Sequence, residues 1–216
     1  MLLTQVKWLF FDMGSTLIDE TYSIPGWFAR ASAAVGGQIS AQEIERGYVK
    51  GMAEYAPTIV GQIKPFGYQG NSAAPLYPSE LDVPYPQAKP LLERLSKTYK
   101  IGVIANQSIG AQERMEGYGL TPYLAFLINS AVAGFSKPDP RIFQLALEKA
   151  GCLPREAVMI GDRLDNDIYP AKKLGMRTIR VRQGWATCQE PRSEEYEADV
   201  TVNTLAELGD VLCRPV

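Results

Sequence analysis

The chain reads as an α/β fold built on a parallel sheet, and three observations predict it. Short apolar runs alternate with helix-length amphipathic stretches from residue 84 onward. Two such runs stop on a carboxylate, Asp12 and Asp162, each followed by loop or helix-start residues. Residues 18–83 break the rhythm and carry helical patterning of their own. Strands separated by helices imply parallel pairing, because a long crossover must return the chain to the same end of the sheet.

The elements follow in order. Val6 to Phe11 is an apolar run ending at Asp12, which suits a first core strand. Pro86 to Tyr99 is helix-like and precedes an apolar strand, Ile101 to Ala105. A helix around Ala111 to Tyr118 precedes a strand, Tyr123 to Asn129. Arg141 to Ala150 places Ile142, Leu145, Ala146 and Lys149 at helical spacing, and Gly151 stops it. Then come strand Ala157–Ile160, a helix from Asp165 to Leu174 stopped by Gly175, and strand Thr178–Val181. Strand Asp199–Val202 and helix Leu205–Leu212 complete the pattern. Inside the interruption, Trp27–Val35 and Ala41–Tyr55 are amphipathic, the second after Ser40 as an N-cap. Pro65 to Pro90 is dense in Gly, Pro, Tyr and Ser and predicts irregular structure. The expected organisation is a Rossmann-like parallel sheet core of residues 1–17 and 84–216, with helices on both faces. A small, mostly helical cap of residues 18–83 is inserted into it.

Composition narrows the function. Hydrophobic residues make up 46% and charged residues 21%, which fits a folded globular chain. A formal net charge of -2 advertises no basic surface for nucleic acid or an anionic membrane. No apolar run approaches the ~20 residues that span a bilayer. The N-terminus lacks the basic region and cleavage site of a secretory signal. Cys152, Cys188 and Cys213 form an odd count without a close pair, which predicts reduced thiols and a cytoplasmic protein. The absence of histidine excludes Ser-His-Asp triads, Cys-His dyads and His-ligated zinc. Acid–base chemistry must come from Asp, Glu, Lys, Tyr or Cys.

Parallel strands put their C-terminal ends on one edge, where open α/β sheets bind ligands. Asp12 and Asp162 share that edge. Two carboxylates there suit a hard cation such as magnesium, and one of them can attack phosphorus. Asn106 follows the second strand, and Lys137 sits in Gly134-Phe135-Ser136-Lys137-Pro138-Asp139-Pro140-Arg141-Ile142-Phe143. Gly161-Asp162 ends the fourth strand, with Asp167 five residues beyond. Singly, each residue has an ordinary reading as a turn, a cap or a first-turn charge. Jointly, in this order and on these strand ends, they describe a site.

With these motifs the chain resembles the haloacid dehalogenase-like (HAD) superfamily, in the group with a helical cap after the first strand. The resemblance implies a magnesium-dependent hydrolase, a phosphatase of a small phosphorylated metabolite, acting through an aspartyl phosphate on Asp12. It implies Asp162 on the magnesium, Asp167 binding the metal or orienting its water, and the Gly14 carbonyl as a further ligand. Lys137 would offset charge between nucleophile and phosphate. The backbone N–H groups of Met13 and Asn106 would face the phosphate oxygens, and Thr16 would shape the loop. Trp27, Arg30, Tyr48, Tyr55 and Tyr68 of the cap are candidates for substrate selection, with packing as the alternative. The cap is expected to close over Asp12, pivoting near residues 17–20 and 82–86.

Two departures qualify the expected activity. Family phosphatases carry a second Asp two residues after the nucleophile as general acid and base; here that residue is Gly14. They place Ser or Thr at the end of the second strand; here it is Ala105, with Gln107 and Ser108 nearby. General acid–base help is worth ~100- to 10,000-fold in rate. Asp19 and Glu20 are the nearest substitutes in sequence, and both read first as a solvated hinge. Without a substitute the expectation is a preference for good leaving groups such as acyl phosphates. Other family chemistry fits less well: dehalogenases carry a bulky aromatic where Gly14 stands, and neither Lys50 nor Lys64 has the setting of a Schiff-base lysine. The remaining alternative is a catalytically weakened member that binds a phosphorylated ligand or a partner protein. The sequence names neither the substrate nor the oligomeric state.

Overall fold

In the computed structural model, residues 5–212 are described. Cys213 and the first four residues of the N-terminal reading lie outside them. The chain runs β1 (Trp8–Phe11), β2 (Ile18–Asp19), α1 (Ser23–Ala34), α2 (Ala41–Ala53), α3 (Val60–Ile63), β3 (Val83–Pro84) and α4 (Ala88–Leu95). It continues through β4 (Lys100–Ala105), α5 (Ala111–Gly117), β5 (Phe126–Asn129), α6 (Ser130–Ala133) and α7 (Pro140–Ala150). It ends with β6 (Ala157–Gly161), α8 (Tyr169–Lys173), β7 (Arg177–Val181), β8 (Val200–Val202) and α9 (Leu205–Leu212).

The main sheet has six parallel strands in the order β5-β4-β1-β6-β7-β8. Apolar runs without polar alternation belong to strands covered on both faces, and every residue of β1 and β6 is buried. Alternate side chains serve opposite layers. Leu9 and Phe11 pack with α4, α5 and α9, while Trp8 and Phe10 pack with α7 and α8. The chain builds outward from β1 to β4 and β5, then returns to lay β6, β7 and β8 on the other side. The reversal falls between β1 and β6. A crevice therefore opens at their C-terminal ends, where Asp12 and Asp162 emerge.

The segment between β1 and α4 forms a helical layer over that edge. The short antiparallel pair of β2 and β3 stands at its root, with Ile18 opposite Pro84. Ser40 caps α2 through a full capping box: its Oγ accepts from Glu43 N, and Glu43 Oε2 accepts from Ser40 N. Phe28, Ile44, Tyr48, Met52, Ile59 and Ile63 form this layer's own apolar core. Ala186, from the loop after β7, is buried in the same cluster, and the Trp185 ring lies 5.6 Å from that of Phe28.

Four elements differ from the expected bounds, the first being α1, which starts at Ser23 rather than Trp27. Strand β5 starts at Phe126 rather than Tyr123, because Thr121–Tyr123 around Pro122 makes a 3₁₀ turn. The helix expected from Asp165 to Leu174 opens as a π-helical turn, Leu164–Ile168, before α8. The helix expected over Pro86 to Tyr99 is confined to α4, Ala88–Leu95.

Candidate active site

The sheet edge gathers the expected residues in one cleft of about 840 Å³, between the strand ends and the helical layer. Asp12, Gly14, Asn106, Lys137, Asp162 and Asp167 all line it. The Met13 side chain is buried in the core and its carbonyl accepts from Leu17 N and Ile18 N at 2.9 Å, which leaves its N–H as the group proposed to face phosphate. Asp12, Asp162 and Asp167 each offer a carboxylate oxygen within 4.8 Å of the others. Lys137 Nζ reaches Asp12 Oδ1 at 2.5 Å and Asp167 Oδ1 at 2.6 Å.

Local structure explains these positions. Asp12 N donates to Ile160 O at 2.8 Å, which continues the β1–β6 ladder to Asp12. Gly161 leaves the room that Asp167 uses, since a Cβ there would collide with the Asp167 carboxyl. Arg163 N donates to Asp167 Oδ2 at 3.1 Å and fixes its other oxygen. The Asn106 side chain brackets the Lys137 backbone, with Oδ1 accepting from Lys137 N at 2.7 Å and Nδ2 donating to Lys137 O at 2.8 Å. Beyond the expected role of its backbone N–H, Asn106 aims the lysine through its side-chain amide. Thr16 Oγ1 lies 3.4 Å from Asp12 Oδ2. Gln183 Nε2 pins the same loop through Ser15 O and Thr16 O, at 3.1 and 2.9 Å.

The charges are crowded and dry. Burial works against the Lys137 charge, but the Asp12 and Asp167 carboxylates outweigh it and hold the ammonium above its ordinary pKa. Burial raises Asp167, Lys137 draws it back, and the balance leaves it pushed up to about 6. Asp162 is raised well above the carboxylate range by burial, then by Asp12 and Asp167. Among the described residues no hydrogen bond reaches the Asp162 carboxylate, although it is 4% exposed. Buried carboxylates without a partner are costly. A divalent cation held by these oxygens removes that cost, so the donor set fits a hard metal ion.

Glu20 departs most from the sequence reading. It is not a solvated hinge but turns into the cleft. Ser15 Oγ donates to its Oε2 at 2.7 Å, and the Tyr77 hydroxyl lies 3.0 Å from its Oε1. Burial pushes it up to about 7. Asp19 instead accepts from Thr21 N at 2.9 Å in a local turn. Ala105 is fully buried, and the hydroxyls beside it in the cleft come from Ser108, Ser130 and Ser136. Of the aromatic candidates in the cap, Trp27 and Tyr48 line the cleft. Arg30 pairs with Glu80 on the surface, Tyr68 OH donates to Ser72 O, and Tyr55 OH donates to Glu190 O.

Comparison with known proteins agrees with this geometry. The model of the haloacid dehalogenase-like hydrolase family matches residues 6–175. The glyceraldehyde 3-phosphate phosphatase of Methanocaldococcus jannaschii is 37% identical over 131 residues, 60% of this chain. That match spans only 56% of the relative's length. The pyrimidine 5'-nucleotidase YjjG of Escherichia coli is 31% identical over 181 residues, covering 82% of this chain and 75% of that protein. The crystal structure of a HAD phosphatase from Thermococcus onnurineus superposes with a TM-score of 0.67 at 26% identity, covering 96% of this chain and 98% of that one. No helix among the described residues is long and apolar enough to cross a membrane. Strand order, carboxylate cluster and matched residues agree: this chain belongs to the haloacid dehalogenase-like hydrolases.

Proposed function

We propose that this protein is a magnesium-dependent phosphatase of a small phosphorylated metabolite, working through an aspartyl phosphate on Asp12. The observation that carries the reading is the buried set of Asp12, Asp162 and Asp167, two of which, Asp12 and Asp167, bond the ammonium of Lys137. The relatives named as phosphatase and nucleotidase support the same reaction class.

Asp12, Asp162 and Asp167 would hold the metal. When bound, it supplies positive charge that draws the phosphate in and stabilises charge developing on phosphorus. The Asp12 carboxylate attacks phosphorus and the leaving oxygen departs; water then cleaves the aspartyl phosphate. Lys137 orients Asp12 through its 2.5 Å contact and faces the transferred group with a fixed positive charge. Asn106 holds the lysine's backbone in register. The helical layer, with Trp27 and Tyr48 on the cleft wall, excludes water and strengthens those charges.

Turnover on a phosphoester panel, with and without magnesium, tests the reading. The panel includes a triose phosphate, a pyrimidine nucleoside monophosphate and p-nitrophenyl phosphate. Magnesium-dependent phosphate release lost in Asp12→Asn is expected. No release on any member would contradict it.

A further inference from the structure

We propose that Glu20 is the general acid and base of this site, reaching back from the root of the helical layer into the space that Gly14 leaves open. The assignment rests on the phosphatase reading above and adds the residue that handles the proton. A Cβ on Gly14 would lie 2.6 Å from Glu20 Oε1, 2.9 Å from Cδ and 3.0 Å from Oε2. All three carboxyl atoms therefore stand where a side chain at position 14 would have to be. The shortest separation is close to that between an aspartate's own Cβ and its carboxylate oxygens. Glycine at 14 is what admits Glu20, and the lost carboxyl is replaced from six residues away.

The setting is built to hold that carboxyl. Ser15, next to Gly14, has a left-handed backbone with φ 53° and donates to Oε2 at 2.7 Å. A non-glycine residue adopts that conformation only when its surroundings enforce it. The Tyr77 hydroxyl has three oxygen neighbours, Glu20 Oε1 at 3.0 Å, Asp82 Oδ1 at 2.8 Å and Ser23 Oγ at 2.9 Å. A phenol has one hydrogen to give. Asp82 faces the Arg114 guanidinium, Nη1 to Oδ2 at 3.6 Å, and stays an acceptor for that hydrogen. With that hydrogen on Asp82, the 3.0 Å contact between Tyr77 and Glu20 Oε1 is a hydrogen bond only when Glu20 carries a proton, the form a general acid needs. Glu20 shares the cleft with Asp12 and is the one carboxyl on the cap side of it.

The chemistry balances. In the first half, an Asp12 oxygen bonds to phosphorus, the bond from phosphorus to the leaving oxygen breaks, and Glu20 gives that oxygen its proton. An alcohol leaves, and Glu20 is left as carboxylate. In the second half, Glu20 takes a proton from water as the water oxygen bonds to phosphorus. The bond from phosphorus to Asp12 breaks, inorganic phosphate leaves, and Glu20 is again protonated.

Pre-steady-state kinetics on the magnesium-loaded protein test this with p-nitrophenyl phosphate and glycerol 3-phosphate. The native protein should release p-nitrophenolate in a burst and turn over both substrates. Glu20→Gln should keep the burst, because p-nitrophenolate needs no proton, and lose steady-state turnover by ~100-fold or more. With glycerol 3-phosphate the same variant should form little phosphoenzyme. Gly14→Asp alone should lower activity, since two carboxyls then compete for one space. Gly14→Asp combined with Glu20→Ala should turn over glycerol 3-phosphate at least ~10-fold faster than Glu20→Ala alone. Magnesium-binding calorimetry checks that each variant is folded. Native-like turnover of glycerol 3-phosphate by Glu20→Gln would overturn the assignment and leave the phosphatase reading standing. No burst and no turnover by the native protein would overturn both.

Discussion

Gln189 Nε2 donates to the Met52 carbonyl at 3.1 Å, so a loop of the sheet layer grips the last turn of α2 in the helical layer. The same side chain accepts from Leu164 N at 2.8 Å and donates to Asp165 Oδ1 at 3.0 Å. One fully buried amide thus joins the cap, the loop after β7 and the turn that carries Asp167. Arg192 Nη2 adds a bond to Glu54 O at 2.6 Å. If the cap pivots near residues 17–20 and 82–86, it must carry this loop with it or release it.

Gln189→Leu leaves the Leu164 N–H buried and unpaired, which costs about 1–3 kcal/mol. Hydrogen exchange should speed up in the last turn of α2 and in residues 164–168. Unchanged protection in both places would show that the amide is not the tether.

Lys137→Met removes the only cation that contacts both Asp12 and Asp167 among the described residues. Without divalent metal, stability should fall by about 3 kcal/mol, the scale seen when one partner of a buried pair is removed. Magnesium should restore part of that stability but not turnover, because the charge facing the transferred group is gone. Chemical denaturation with and without magnesium reads both effects. Wild-type stability in the metal-free variant would contradict the reading.

Magnesium affinity should depend on pH. Metal needs the ionised carboxylates, and burial with neighbouring negative charge raises both Asp162 and Asp167, the latter to about 6. Protons therefore compete as pH falls through that range, and binding should strengthen from about pH 5 to pH 7 with proton release. Without metal the sign reverses. The folded state keeps protons that the unfolded chain has lost, so stability falls as pH rises through the same range. Calorimetry in buffers of different ionisation heat measures the released protons. An affinity flat across this interval would count against the raised carboxylates.

Ser40→Ala removes one half of the capping box of α2 and should cost about 1 kcal/mol. Arg30→Ala breaks an exposed, solvent-screened pair with Glu80 and should cost less than the loss of the cap. Thermal melts of the two variants should rank in that order. Equal losses would mean that the cap of α2 contributes nothing beyond a surface contact.

The sheet was legible because its strands are buried on both faces and leave unbroken apolar runs such as Trp8–Phe11 and Ala157–Gly161. The carboxylate edge was legible because Asp12 and Asp162 directly follow those runs. Glu20 was not, because its direction depends on a void above Gly14 and on donors from Ser15 and Tyr77. Local patterning reports none of these. The departure at Gly14 was itself the signal, since a missing carboxyl and an adjacent glutamate form one substitution in space. The docking of Trp185 against Phe28 was hidden for a related reason: it joins residues far apart in sequence through side-chain contact alone. The π-helical turn at Leu164–Ile168 escaped because its acidic residues read as an ordinary first helical turn.

The proposed chemistry turns on Asp12 carrying the phosphoryl group. Rapid quenching of the magnesium-loaded protein with labelled p-nitrophenyl phosphate, followed by peptide mapping, tests it most directly. Label is expected on the peptide that contains Asp12, with loss on chase with unlabelled substrate, and neither label nor turnover is expected in Asp12→Asn. Turnover with no label on that peptide, or turnover that persists in Asp12→Asn, would contradict it.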